Sequence, residues 1–429
     1  MRAYARWGLW LYFRKVYLEY AERVPARTTV IFALNHPTAF IEPIALGTHV
    51  APKCWYMLRG DKFATPAARW FLRQIHNLPI FRAAHGNRAE VRGNVETMDF
   101  ATDRLLEGQP VVILSEGSWS GRLRLKRIQR GTARMLFQAW RKDRSAPVAI
   151  VPVGCHFDAP HDFRSTVTLS FGEPIYATDY AQAHAADPRA AIEEVTAEVQ
   201  RRLAGVVVHV EEPERLPLAE ALLPLVQHGR PDSGLWPTAR RQPWRAAQWQ
   251  AVAALNDMDR VDARALAEEV DDYHRRLQRA GVTDPGVAYP AYGTPWRALV
   301  LLALGPLAMA GWLANFVPAY FAARRAEAQR DSEQFFGSVR FGLGLASFFA
   351  FALFWTAALA ALIGWLALAV PVLLYASAHL YLRWRESFEL WRDATRARSL
   401  EAAELQQLRG ARAAILEAVG VREGMPVPA

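Results

Sequence analysis

Between Arg340 and Arg383 the chain runs for 42 positions, Phe341 to Leu382, without an Asp, Glu, Lys or Arg. One membrane crossing takes about 20 apolar residues. A single helix over the whole stretch would overshoot the hydrocarbon, and Gly364 stands near its middle. The economical reading is a two-span transmembrane hairpin over 341–383, broken at Gly364, and a buried hairpin in a soluble fold is the weaker competitor. A second uncharged stretch, Ala298 to Ala323, is also long enough to cross, but Gly305-Pro306, Gly311, Asn315 and Pro318 interrupt it. Residues 297–323 are therefore expected to form a re-entrant or interfacial segment. Arg324, Arg325, Arg330 and Arg340 precede the hairpin, and Arg383, Arg385, Arg392, Arg396 and Arg398 follow it. By the positive-inside rule both hairpin ends are expected on the cytoplasmic side. Three full crossings would put the Arg324–Arg340 loop on the opposite side from a cytoplasmic N-terminal domain.

The rest of the 429 residues is too polar for a bundle of spans alone. Hydrophobic residues make up 52% and charged ones 22% of the whole, with a mean hydropathy of −0.03. That balance implies one globular part and one membrane part. A net charge of +9, with Arg far outnumbering Lys, suits nucleic acid or an anionic lipid surface equally well. Two cysteines, Cys54 and Cys155, allow at most one disulfide and exclude a disulfide scaffold, and a reduced chain is expected. Arg2, Arg6, Arg14 and Lys15 break up the N-terminal apolar residues, so no secretory signal is read there.

Residues 1–27 mix Trp7, Trp10, Tyr12, Phe13, Tyr17 and Tyr20 with basic side chains, a pattern that suits either an amphipathic membrane-associated helix or a helix packed on a core. Over 28–178 short apolar runs alternate with helical stretches. The strands read as Thr29–Leu34, Cys54–Leu58, Val111–Leu114, Val148–Val153 and Thr166–Phe171, and the helices as Pro66–His76, Arg88–Glu107 and Thr132–Arg141. This is an α/β domain. Residues 179–296 turn helical, as in Arg189–Leu203 and Ala263–Ala280, with an irregular stretch at Pro213–Pro243, and 384–429 reads as a cytoplasmic helical tail.

Polar residues gather where the strands end. Val30–Pro43 is an apolar strand running into Asn35-His36-Pro37, with Glu42 six positions after the histidine. A carboxylate beside an imidazole fixes its tautomer and stabilises the imidazolium formed when a hydroxyl is deprotonated. On one continuous helix the two would face different ways, so the pair meets only if Pro37–Phe40 forms a turn. Alone, a strand-end histidine is more often structural. Three further blocks follow: Leu78-Pro79-Ile80-Phe81-Arg82, whose arginine suits a phosphate; Val111–Leu114 leading into Ser115-Glu116-Gly117-Ser118, with Lys126, Arg127, Arg130 and Gly131 beyond; and Ile150-Val151-Pro152-Val153-Gly154, a strand whose proline fits an edge or a bend.

In this order the blocks resemble the glycerol-3-phosphate and lysophosphatidic acid acyltransferase family over roughly residues 28–175. The family has an Asn-His followed by an acid, a Gly-Phe-Arg block, a Pro-Glu-Gly block and an apolar strand containing Pro. Most members carry aspartate five positions after the histidine; here Ile41 stands at that place and Glu42 follows, a spacing similar to a bacterial and fungal glycerol phosphate acyltransferase branch. Ser115 replaces the usual proline before Glu116-Gly117. The resemblance implies a mixed sheet flanked by helices, and a phospholipid-biosynthesis acyltransferase at the cytoplasmic face of a membrane, expected to be a bacterial inner membrane. It implies His36 as general base with Glu42 orienting it, and Asn35, Phe81, Arg82, Glu116, Gly117, Ser118 and Arg130 around the acceptor. The donor would be acyl-CoA or acyl-carrier protein, with no cofactor, and the acceptor glycerol 3-phosphate or lysophosphatidate.

Other readings stay open beside it. Another lysolipid or amino-lipid could be the acceptor, or the fold could bind lipid without catalysis. Cys155-His156-Phe157-Asp158 followed by His161-Asp162 lacks a zinc spacing, so no metal is assigned. Lys126, Arg127 and Arg130 come without any nucleic-acid motif, and the apolar hairpin favours lipid.

Overall fold

The computed structural model describes residues 2–421 apart from 27, 39, 51–52, 82–87, 120–122, 160–161, 228–236, 243 and 329–332. It divides into two units, Met1–His209 with Trp236–Arg241, and Val210–Leu235 with Gln242–Ala429.

The first unit is built on nine strands: β1 (Lys15–Glu19), β2 (Thr29–Leu34), β3 (Trp55–Arg59), β4 (Asn77–Ile80), β5 (Val111–Leu114), β6 (Val148–Phe157), β7 (Thr166–Phe171), β8 (Ile175–Tyr176) and β9 (Thr238–Ala239). Their order is β4-β3-β5-β2-β6-β7-β1-β9, with β8 paired to β6. The stretch from β4 to β6 is parallel, β7 and β8 run antiparallel to β6, and β1 and β9 run parallel to β7. Parallel strands need crossovers, and the helices that supply them bury both sheet faces. Every residue of β2 and β6 is accordingly buried.

Around the sheet lie α1 (Arg2–Tyr12), α2 (Ile41–His49), α3 (Pro66–Gln74), α4 (Arg88–Leu106), α5 (Gly131–Lys142), α6 (Ala181–Ala186) and α7 (Pro188–Ala204). Asp187 caps α7 by accepting from the amides of Arg189 and Ala190, and Pro188 sits in its first turn. Ala191, Val195, Val199 and Leu203 then recur at helical spacing and enter the same core as Leu136, Phe137 and Trp140 of α5. The α/β body therefore continues to His209, beyond the expected boundary at 178.

Two expectations need correction. Residues 1–27 are not one helix: α1 stops at Tyr12, and Lys15–Glu19 forms β1 between β7 and β9. The aromatic content suggested a helix, but Lys15, Tyr17 and Glu19 alternate with Val16 and Leu18 at period two, which is strand patterning. The second concerns Pro152, which lies inside the sheet rather than at its edge, paired with Ala33 of β2. Its carbonyl accepts the Gly172 amide at 2.8 Å, so its nitrogen faces that same side. There β8 pairs with Ala149 and Ile150 while β7 begins at Val153, so the missing N–H falls at a junction between two partner strands.

The second unit is helical: α8 (Leu216–Gln227), α9 (Arg245–Asp257), α10 (Arg260–Ala280), α11 (Asp284–Ala288), α12 (Pro295–Glu327), α13 (Glu333–Ile363), α14 (Val370–Arg398) and α15 (Ala402–Ala418). Arg412 of α15 is buried, and its guanidinium donates to Asp284 Oδ1 at 2.9 Å and to the Leu225 carbonyl at 2.6 Å. Tyr273 donates its hydroxyl to the same Asp284 oxygen at 2.6 Å. One polar cluster thus ties α8, α10, α11 and α15 together.

Gly364, at φ 61°, ends α13, and a 3-10 stretch over Gly364–Ala369 leads into α14. The break falls where the sequence placed it. The segment before it is not a re-entrant turn: α12 is one unbroken helix of 33 residues through Pro306 and Pro318. Each proline removes one bond from the helical ladder, and packing against α13 and α14 overrides that local cost. A Cβ at Gly311 would lie 2.4 Å from the Ser377 carbonyl oxygen, so α12 and α14 approach closely there. Asn315 Nδ2 donates to the Leu374 carbonyl and to Ser377 Oγ, each at 3.2 Å. Trp384 donates to the Leu301 carbonyl and Trp391 to that of Thr294, which fixes the two helices antiparallel. Leu302, Leu313, Phe354, Leu362 and Leu373 stay exposed. Pro295–Glu327 and Phe336–Arg398 are long and apolar enough to cross a membrane by length and composition.

Candidate active site

The parallel strands β2, β5 and β6 end side by side, since Leu34 pairs with Leu114 and with Val153. The residues just beyond them form the site, as expected at the carboxyl edge of a parallel sheet. Asn35 comes first and is buried. Its Oδ1 accepts the Cys155 amide at 2.6 Å and its Nδ2 donates to the Cys155 carbonyl at 3.0 Å. The side chain thus copies the hydrogen bonds of a neighbouring strand and carries the β2–β6 pairing past its last backbone pair. Asn35 belongs to the scaffold of the site.

His36 follows at the surface of this edge, its side chain 12% exposed, while that of Glu42 is fully buried. His36 Nδ1 lies 3.3 Å from Glu42 Oε1. The turn that brings them together is stitched by Thr38. Its amide donates to Glu42 Oε1 at 2.5 Å, and its hydroxyl donates to Glu42 Oε2 at 2.7 Å. Glu42 is also in the first turn of α2, where the helix dipole favours a carboxylate. A buried charge needs such partners. With Nδ1–H directed at the carboxylate, the imidazole lone pair is on Nε2.

Glu116 braces the same turn from the next strand. Its Oε1 accepts the His36 amide and its Oε2 the Lys126 amide, both at 2.7 Å. The carboxylate is buried and committed to main chain. Gly117 takes φ 69°, a left-handed turn that only glycine adopts at no steric cost, and Ser118 follows, half-buried. Ser115 Oγ is 3.0 Å from Thr132 Oγ1, joining the strand end to α5. Above the turn, Trp119 Nε1 donates to the Pro37 carbonyl at 3.0 Å and Lys126 Nζ to the Trp119 carbonyl at 2.6 Å.

Among the described residues, Phe81 and Arg130 have their printed partners outside this cluster. Phe81 follows β4, and Asn94 of α4 holds it at both main-chain atoms, accepting from its amide at 2.8 Å and donating to its carbonyl at 2.6 Å. A Cβ on Gly60, just after β3, would come within 2.1 Å of the Phe81 ring, so this glycine seats the ring. Arg82 and His161 lie outside the described residues. Arg130 directly precedes α5 and pairs with Glu193 of α7 at 2.9 Å. His156, within β6, lies 3.6 Å from Asp158.

Thr38, Asn94 and Trp119 were not singled out from sequence, and Lys126 only as part of a basic run. Thr38 left a local signal, a helix-capping residue type just before an apolar helical run. Asn94, Trp119 and Lys126 act on main chain far along the sequence or through their own amides, and nothing local marks such roles. Chemically, a largely buried imidazole set against a buried carboxylate, on a turn braced by Thr38, Glu116 and Trp119, is suited to accept a proton.

The acyltransferase family model matches residues 15–156. Glycerol-3-phosphate O-acyltransferase 2 of Saccharomyces cerevisiae is 30% identical over an aligned length of 206 residues that covers 46% of this chain; the chain spans 26% of that relative's length. The crystal structure of the 1-acyl-sn-glycerophosphate (LPA) acyltransferase PlsC from Thermotoga maritima is matched with a TM-score of 0.33 and 18% identity, over 47% of this chain and 79% of the other.

Proposed function

We propose that this chain, whose residues 15–156 form an acyltransferase-family domain, transfers a fatty acyl group from a thioester carrier to the hydroxyl of glycerol 3-phosphate or a lysophosphatidate at a membrane surface. The observation that carries this reading is His36 Nδ1 at 3.3 Å from the buried Glu42 carboxylate. His36 Nε2 takes the proton of the acceptor hydroxyl as the oxygen attacks the thioester carbonyl. The tetrahedral intermediate collapses, the C–S bond breaks, and the imidazolium returns its proton to the leaving thiolate. Glu42 keeps the ring oriented and balances its transient charge. No covalent enzyme intermediate is needed. Acyl-CoA or acyl-carrier protein serves as donor.

Arg82 directly follows Phe81 and is assigned to the acceptor phosphate, for which a guanidinium fork is suited. Glu116 supports this chemistry from behind, by holding the His36 and Lys126 amides. The two long apolar segments supply the membrane attachment.

Membranes containing the protein, given labelled acyl-CoA and a panel of acceptors, test the reading. Product should form with the unsubstituted chain, and His36→Ala should lower the rate by about 10²–10⁴-fold. Arg82→Ala should raise the acceptor KM with a smaller effect on kcat. Equal rates with and without the imidazole would end the assignment of His36 as base.

A further inference from the structure

The nine residues of α3 include not one that is buried. Trp70 is 67% and Phe71 49% exposed, adjacent on a helix only two and a half turns long. Ala67, Trp70 and Phe71 fall at i, i+3 and i+4 and share the outward face, while Ala68 and Leu72 turn partly toward the body. Arg69 and Arg73, also four apart, flank the aromatic face. Thr65 accepts the Ala68 amide as N-cap and Pro66 opens the first turn, so the helix has its own start signals.

Two exposed aromatics side by side are costly on a surface that meets only water. The charges beside them narrow the choice of partner. Nearby, Arg59 and Lys62 both engage Asp61. The α3 arginines pair with no carboxylate among the described residues, and the helix itself contains none. Cationic side chains bordering Trp and Phe on a short helix match the boundary between anionic headgroups and acyl chains. A chain that carries two other segments able to cross a bilayer holds its domains near that boundary.

We propose that α3 is an in-plane anchor: Trp70 and Phe71 enter the acyl region of an anionic bilayer while Arg69 and Arg73 bind its phosphates. The contact is separate from the long apolar helices and does not depend on the acyl-transfer reading. It leaves the bilayer one short turn from the Phe81 block, because α3 starts directly after the 3-10 turn Gly60–Phe63, whose glycine packs on the Phe81 ring. An amphipathic acceptor would then pass to the site without crossing water.

The test uses the full chain reconstituted in phosphatidylcholine vesicles with and without phosphatidylglycerol. A nitroxide is attached through Trp70→Cys, and through Arg189→Cys as an aqueous reference, since that side chain is 85% exposed. Cys54 and Cys155 are buried, so the unsubstituted chain serves as the blank. With phosphatidylglycerol, oxygen should relax the label at 70 several-fold more than a water-soluble nickel complex does, with the reverse order at 189. Omitting phosphatidylglycerol, or adding Arg69→Ala and Arg73→Ala, should shift position 70 toward the aqueous pattern. Nickel dominance at 70 in both vesicles overturns the proposal. So does shielding of that label from both reagents, the signature of a protein partner, and so does an apolar signature indifferent to phosphatidylglycerol. Because none of these readouts measures turnover, a failure here is distinct from a failure of His36→Ala.

Discussion

Glu116 spends both carboxylate oxygens on main-chain amides, those of His36 and Lys126. Glu116→Gln keeps the shape but turns one oxygen into a donor that faces an N–H. One of the two bonds must then break, at a local cost of about 1–3 kcal/mol. Steady-state kinetics should record a fall in kcat with little change in the KM for either substrate; a selective rise in acceptor KM would make Glu116 a substrate ligand instead. His49, on the last turn of α2, behaves differently. Burial lowers its pKa from 6.5 to about 4, with Arg6 and Arg2 adding to the effect against the pull of the Ala45 carbonyl. Its folded pKa is below the unfolded value, so between these limits the unfolded chain takes up a proton that the folded chain refuses. Stability from this group is present above pH 6.5 and falls by up to about 3 kcal/mol as the pH drops toward 4. Denaturant titrations across that window should show the decline, and His49→Leu should flatten it.

At the scale of elements, the β3–β4 crossover depends on one missing methyl group. Gly60→Ala would drive a Cβ into the Phe81 ring, costing about 1–3 kcal/mol and displacing the block that follows β4. A lowered unfolding midpoint together with a raised acceptor KM is expected; unchanged values for both would separate this turn from the site. Elements like these divide sharply in how far sequence exposes them. β2, β5 and β7 stand at their expected residues, and α4, α5, α7 and α10 within a few residues, because each has an apolar period bounded by polar or breaker residues. β1 was hidden by its aromatics, and β4 by its shortness and by Pro79. The His36–Glu42 pairing was legible as a requirement for a turn, yet Thr38, which makes that turn, became visible only with the hydrogen bonds in place. Sheet order beyond the parallel core could not be read from sequence, since β1, at the start of the chain, pairs with β7 and β9 from much later in it.

On the scale of the whole molecule, the long apolar helices are not an appendage. α14 continues past its apolar part to meet α11: Thr283 Oγ1 donates to Asp393 Oδ2 at 2.9 Å, and Gly286 lies against the Asp393 backbone. Beyond it, α15 brings Arg412 to Asp284. Arg412→Ala would leave a buried carboxylate without its cation, and detergent-solubilised protein should lose about 3–5 kcal/mol. Tyr273→Phe removes one hydrogen bond from the same cluster and should cost about 1 kcal/mol. Similar small losses for both variants would show that water reaches the cluster. The Asn315 contact has its own consequence, for biosynthesis. While the ribosome is still making the residues after α12, this amide has only the Gly311 carbonyl one turn back, at 2.9 Å, for a partner. Its second acceptor, Leu374, is 59 residues downstream. On the proposed membrane reading, a nascent α12 would enter lipid with this polar side chain half-satisfied until α14 arrives to pack against it.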